Sequence, residues 1–242
     1  MVSEFVLVRH GESMGNVAAA AASATGVEQI MVEHRDPDVP LSPLGLEQAV
    51  ALGRGLAPLV SDQVSTAVWS SPYRRALDTA RTALSQSSSE LPVFVDERLR
   101  DRELGVLDLL TRQGVANRFP LEAERRQWWG KFYHRPPGGE SWADVALRLR
   151  SYLNEVLITS PADRIVLVVH DAVVMLVRYI LEALDEQTLL QIGATTPVKN
   201  ASISIVQRRE ERWEPLVFND VRHLVEQGAA VTEHGGEPDV SH

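Results

Sequence analysis

Two short apolar runs that each stop at a histidine constrain the fold more than any other feature of the chain. Near the N-terminus, Phe5-Val6-Leu7-Val8 leads into Arg9-His10-Gly11-Glu12-Ser13, and far along the chain Ile165-Val166-Leu167-Val168-Val169 leads into His170. Uncharged runs without alternation read as parallel strands buried on both faces. In open α/β sheets, ligands bind beyond the carboxyl ends of the strands. A guanidinium and an imidazole at the end of the first run therefore fall where chemistry is expected, and Gly11 lets the backbone turn away sharply behind the histidine.

The remaining pattern alternates. Strands are predicted at Glu4–Val8, Val64–Trp69, Val93–Asp96, Arg164–His170, Ser202–Gln207 and Glu214–Phe218, each short and bounded by turn or polar residues. Ser42-Pro43 reads as an N-cap with proline at the first helical position, opening a helix to about Leu59. Ser71-Pro72 reads as the same device for a helix through about Leu84. Ser141 and Asp144 have capping-box spacing, and Trp142, Val145, Leu149, Leu153 and Val156 follow with helical periodicity. A further apolar helix is expected from Asp171 to Leu184. Strands alternating with helices imply α/β architecture, a three-layer α/β/α sandwich on a mostly parallel central sheet. The expected organisation is a single domain over residues 1–227 with inserts near 17–36 and 106–140, followed by a disordered tail over 228–242. The second insert carries Trp128, Trp129, Phe132 and Tyr133 beside several arginines and reads as a helical cap.

Composition excludes several classes. With no cysteine, disulfides and thiolate chemistry are ruled out, which fits a reducing cytoplasm. Met1-Val2-Ser3-Glu4 lacks the basic start of a secretory signal, and no apolar stretch approaches the roughly 20 residues that span a bilayer. No membrane partner is expected. A formal charge of −9 argues against a nucleic-acid partner and requires local arginines to overcome global repulsion if an anion is bound.

Arg9-His10-Gly11-Glu12-Ser13 with Asn16 resembles the signature of the histidine phosphatase superfamily, the phosphoglycerate mutase-like proteins. Four further segments match in order: Pro40–Ala49, Ser70–Ala80, Leu99–Gly105 and Val166–His170. The resemblance implies a phosphoglycerate mutase-like fold and a small phosphorylated substrate. It implies no cofactor and no metal, and many members are dimers, so a homodimer is an open expectation. His10 would be the nucleophile, Asp101 the proton donor and His170 the second catalytic histidine. Arg9, Asn16 and Arg75 would hold the phosphoryl group.

These residue types suit the chemistry. Neutral imidazole is a competent nucleophile near neutral pH, and a phosphohistidine splits one displacement into two easier ones. Charge on the phosphoryl oxygens calls for positioned cations, which planar guanidinium forks and a protonated His170 would supply. The family pattern is not matched everywhere. Asp101 stands where most members carry glutamate, with a reference pKa of about 3.9 against about 4.3, and Glu103 is the competing acid. Asp171 replaces a usual glycine, either favouring protonated His170 or capping the next helix. Leu104 replaces an aromatic residue common in the mutases. Arg102 is a further candidate, and Arg125 and Arg126 resemble the mutases' paired arginines or else belong to a charged helix face. The expected activity is metal-independent phosphomonoester hydrolysis. The alternatives are a phosphoglycerate mutase, an inactive phosphate-binding module, and a metal hydrolase that lacks a convincing third ligand.

Overall fold

In the computed structural model, residues 1–61, 63–87 and 89–234 are described. Their centre is a six-stranded sheet of β1 (Glu4–Arg9), β2 (Thr66–Ser70), β3 (Val93–Val95), β4 (Arg164–Val169), β5 (Ile203–Arg209) and β6 (Arg212–Asp220). The spatial order is β3-β2-β4-β1-β5-β6. Pairings β1–β4, β2–β4 and β2–β3 are parallel, whereas β5 runs antiparallel to both its neighbours. Both edges are blunted: β3 has three residues, and β6 carries Pro215 among charged neighbours.

Strand β1 is buried along its whole length because alternate residues serve two cores. Phe5 and Leu7 pack with Leu149, Tyr152, Ile165 and Leu167 on one face. Val6 and Val8 pack with Leu52, Ala80, Val166 and Val168 on the other. Full burial of such side chains contributes about 1.5–3 kcal/mol each, so the two central strands are the most firmly held part of the molecule.

The helices are α1 (Met14–Thr25), α2 (Pro43–Leu56), α3 (Arg74–Gln86), α4 (Arg112–Arg118), α5 (Pro120–Tyr133), α6 (Trp142–Thr159), α7 (Asp171–Leu181), α8 (Glu186–Thr195) and α9 (Arg222–Glu226). Ser42 and Ser141 cap α2 and α6 as their spacing predicts, the latter with a full capping box to Asp144. Ser71 does not cap α3. The helix begins at Arg74 behind Tyr73, and the Ser71 hydroxyl accepts from the Tyr73 N–H at 3.2 Å and turns towards His170. Residues of the second insert form α4 and α5, the latter kinked at Gly130, where φ is +72°.

The expectation of disorder from residue 228 fails for 228–234. Gln48, fully buried in α2, donates to the Ala230 carbonyl and the Thr232 hydroxyl, both at 2.9 Å. The Asn200 N–H donates to the Thr232 carbonyl at 3.0 Å. Polar residues that composition assigns to solvent here find fixed partners across the chain. Residues 235–242 lie outside the described residues.

The loop after β1 is clamped by α2. The Ser42 N–H donates to the Glu12 carbonyl at 2.9 Å, and the Glu12 N–H to Gln48 Oε1 at 2.8 Å. A Cβ on Gly45 would lie 1.9 Å from the Glu12 oxygen, so only glycine allows this approach. Gly45→Ala should lose about 2–3 kcal/mol in denaturant unfolding. Gly193→Ala, whose Cβ would meet only Met175 Cε at 3.8 Å within α8, should gain about 0.5–1 kcal/mol. Equal stability of the two variants would mean that the α2 contact yields freely.

Candidate active site

Register in the sheet builds the site. Arg9 pairs with Val169 across β1 and β4, so the next residue on each strand is a histidine. The His10 N–H donates to the Val169 carbonyl at 2.9 Å, and the two imidazole centroids lie 5.1 Å apart. On the other side of β4, the Ser71 N–H donates to the Val168 carbonyl at 3.1 Å. This brings the start of α3, and with it Arg75, to the same sheet edge.

The His10 ring is oriented by its own loop. Nδ1 lies 2.7 Å from the Gly11 carbonyl oxygen. A carbonyl only accepts, so Nδ1 carries the proton and neutral Nε2 presents its lone pair. The backbone behind it is pinned: Asn200 Nδ2 donates to the His10 carbonyl at 3.1 Å, and the Ala201 N–H does so at 3.2 Å. Ala201 delivers that N–H from a left-handed conformation with φ of +53°, a cost that a rigid setting must offset.

Arg75, with a side chain 6% exposed, is held between two carboxylates. Nη1 donates to the Asp36 backbone oxygen at 2.7 Å and to Asp36 Oδ1 at 2.8 Å. Nη2 donates to Asp101 Oδ2 at 2.9 Å. The same Asp101 oxygen lies 3.1 Å from His170 Nδ1, while Asp101 Oδ1 accepts from the Arg102 N–H at 2.8 Å. His170 Nε2 lies 2.8 Å from the Ser71 hydroxyl.

Electrostatics follow from this packing. Burial, reinforced by the charges of Arg75, His170 and Arg9, holds His10 well below the usual histidine range. Burial works to raise Asp101, but His170, Arg75 and the Arg102 N–H outweigh it and keep the carboxyl well below its ordinary value. Burial lowers His170 despite the neighbouring Asp101 carboxylate. Burial thus opposes the cationic form of His170 that the sequence expects to help hold the phosphoryl group. Asp171 is the first residue of α7, behind His170 at the N-cap, and its Oδ1 accepts from the adjacent Ala172 N–H at 2.8 Å.

The other candidates separate. Arg9 is buried, donating Nη1 to the Val198 carbonyl and Nη2 to the His234 carbonyl at 3.1 Å, while its Nε has no hydrogen-bond partner among the described residues. Asn16 closes the α1 capping box with Ser13 and lines the cavity. Arg102 lines it too, donating Nε to the Glu140 carbonyl at 2.7 Å. Glu103 sits at the rim, half-exposed, accepting from the Tyr73 hydroxyl at 2.8 Å. Of the arginine pair, Arg126 lines the cavity, whereas Arg125 points elsewhere and pairs with Glu122 at 2.7 Å. The whole cavity holds about 360 Å³, with Ile30, Val32, Leu104, Leu109, Trp142 and Met175 forming its apolar wall. That volume suits a small metabolite.

Sequence reasoning missed Asp36, the Ser71–His170 contact, Asn200, and His234, whose ring lies 2.9 Å from Glu12 Oε2. No local pattern marks them, because each acts on a partner distant in the chain.

Comparison with known proteins follows the geometry. Residues 5–221 match the family described as the histidine phosphatase superfamily (branch 1). A metal-independent phosphoserine phosphatase from Arabidopsis thaliana is 29% identical over 236 residues, covering 94% of this chain and 85% of the relative. A 2,3-bisphosphoglycerate-dependent phosphoglycerate mutase from Gloeobacter violaceus is 32% identical over 154 residues, covering 63% of each chain. The solved structure of a mycobacterial glucosyl-3-phosphoglycerate phosphatase with VO3 is 28% identical, with a TM-score of 0.72, covering 91% of this chain and all of the other.

The His10 environment can be read directly. As pH falls from 7, its ring should stay neutral through the ordinary value of 6.5, titrating only well below it in an NMR titration. Arg75→Ala removes one of the charges that lower it and should move the midpoint up. A midpoint at or above 6.5 in the unsubstituted protein would contradict the burial argument.

Proposed function

Because this chain belongs to the histidine phosphatase superfamily (branch 1), we propose that it hydrolyses a small phosphomonoester through a phosphohistidine on His10. The carrying observation is the His10 Nδ1 contact to the Gly11 carbonyl at 2.7 Å, which leaves Nε2 as a nucleophile. A phosphoryl group bound in line would spread its charge towards Arg75, His170 and the Arg9 Nε, which has no partner among the described residues. Nε2 attacks phosphorus, the N–P bond forms and the P–O bond to the alcohol breaks. The leaving alkoxide takes a proton from Asp101. That carboxyl is ionised in the empty site, and the bound phosphoryl dianion repels its charge and raises its pKa. Water then attacks the phosphohistidine, gives its proton back to Asp101, and frees phosphate and neutral His10.

Relatives named as phosphatases and relatives named as phosphoglycerate mutases both match 80% or more of this chain, so the preference for hydrolysis over mutation rests on one position. Leu104 lines the cavity where the mutases commonly carry an aromatic side chain. The mutase reading draws on Arg102, Arg126 and Lys131 in the cavity wall, which would suit a second anionic group. The substrate is a small phosphorylated metabolite. Among the described residues no helix is long and apolar enough to cross a membrane, and the absence of cysteine favours a cytoplasmic setting.

Phosphoserine and glucosyl-3-phosphoglycerate, named for the relatives, head the panel of esters to test, alongside 3-phosphoglycerate. Free phosphate should be released with EDTA present, without isomerised product. Isomerised phosphoglycerate as the main product would favour the mutase.

The proton donor has its own test. An aryl phosphate leaves largely unaided, so Asp101→Asn should slow hydrolysis of an alkyl phosphate about 10²–10⁴-fold and of p-nitrophenyl phosphate far less. Glu103→Gln should leave the two substrates alike. The reverse pattern would transfer the acid role to Glu103.

A further inference from the structure

Among the described residues, Asp36 is the one carboxylate in the cavity that touches the Arg75 guanidinium without being part of the family motif. It sits on a short 3₁₀ turn, Asp36–Asp38, where the first insert ends ahead of α2. The turn is fastened from outside, since Arg35 donates to Asp38 Oδ2 at 2.8 and 2.6 Å, leaving Asp36 to point inward. There its side-chain and backbone oxygens both occupy Arg75 Nη1. Asp101 occupies Nη2, so one buried cation already carries two anions before any substrate arrives.

The two carboxylates differ. Asp101 is fixed on a second side by His170 and by the Arg102 N–H. Asp36 has no such second anchor for its carboxylate in the described structure beyond Arg75, and its side chain is 38% exposed. Burial and the neighbouring Asp101 charge push its carboxyl up in opposition to Arg75. A phosphoryl group reaching Arg75 must displace Asp36 or accept like-charge repulsion from it, and the same holds in reverse when phosphate is the product.

Resting on the phosphatase reading above, we propose that Asp36 is an internal competitor for Arg75, whose carboxylate replaces a phosphate oxygen on Nη1 after hydrolysis and drives inorganic phosphate out. The residue is a positioning residue that acts through Arg75. Such a device suits an enzyme that must release phosphate, and it works against one that must retain a phosphorylated intermediate. No bond is made or broken in the exchange: Arg75 trades a phosphate oxygen for Asp36 Oδ1.

The test is direct binding of inorganic phosphate by isothermal titration calorimetry. Asp36→Asn keeps the size and the backbone contact but removes the charge, and it should bind phosphate roughly tenfold more tightly than the unsubstituted protein. Asp36→Glu, which restores the charge, should return affinity towards the original. In turnover of p-nitrophenyl phosphate, Asp36→Asn should show stronger inhibition by added phosphate. A purely structural role predicts the opposite sign, because a disturbed Arg75 would bind phosphate more weakly. Unchanged or weaker binding in Asp36→Asn, with a far-UV spectrum and melting transition like the parent, would overturn the proposal. Because binding is measured without turnover, this outcome is separable from failure of the phosphohistidine mechanism, which would abolish the enzyme intermediate and leave the binding comparison intact.

Discussion

The parallel pairing of β1 with β4 is the constraint on which the site depends. With Arg9 opposite Val169, the residues that follow are His10 and His170, and the His10 N–H is bonded to the Val169 carbonyl. A shift of one residue would flip every side chain of β1 between the two cores, exposing Phe5 and Leu7 to a layer built for Val6 and Val8. The apolar packing therefore fixes the register, and the register sets the distance between the two imidazoles. Catalytic geometry here is a by-product of core formation.

The buried charges impose the second constraint. Arg75 cannot be left unpaired in a site this enclosed, and the chain supplies Asp101 from one side and Asp36 from the other. This pairing keeps the empty site near electrical balance while His10 stays neutral behind it. Glu12 extends the arrangement outward, accepting from Ser42 at 2.7 Å and facing the His234 ring. The strap at 230–234 thus closes against the same loop that carries the nucleophile, held by Gln48 and Asn200.

What was legible in the sequence follows the range of the interaction concerned. The two central strands could be read because burial on both faces writes itself as an unbroken apolar run. Ser42 and Ser141 could be read as caps because their partners lie three residues away. Ser71 has the same Ser-Pro signature, yet its hydroxyl serves His170, 99 positions distant. Asp36 reaches Arg75 across 39 positions and His234 reaches Glu12 across 222, and nothing in the local pattern records such pairs. Burial is equally invisible to a local pattern, and it opposes the protonated His170 that the sequence expects. Imidazole beside a carboxylate suggests a cation, but complete burial outweighs that attraction.

The central claim is that His10 Nε2 becomes covalently phosphorylated. Rapid quenching in alkali during turnover of a phosphomonoester, followed by peptide mass spectrometry, tests it most directly, because phosphohistidine survives alkali and is lost in acid. The account predicts a phosphate adduct on the peptide containing Arg9-His10-Gly11, absent after acid treatment and absent in His10→Ala. An adduct on another residue, or steady turnover in His10→Ala with the fold intact, would contradict it.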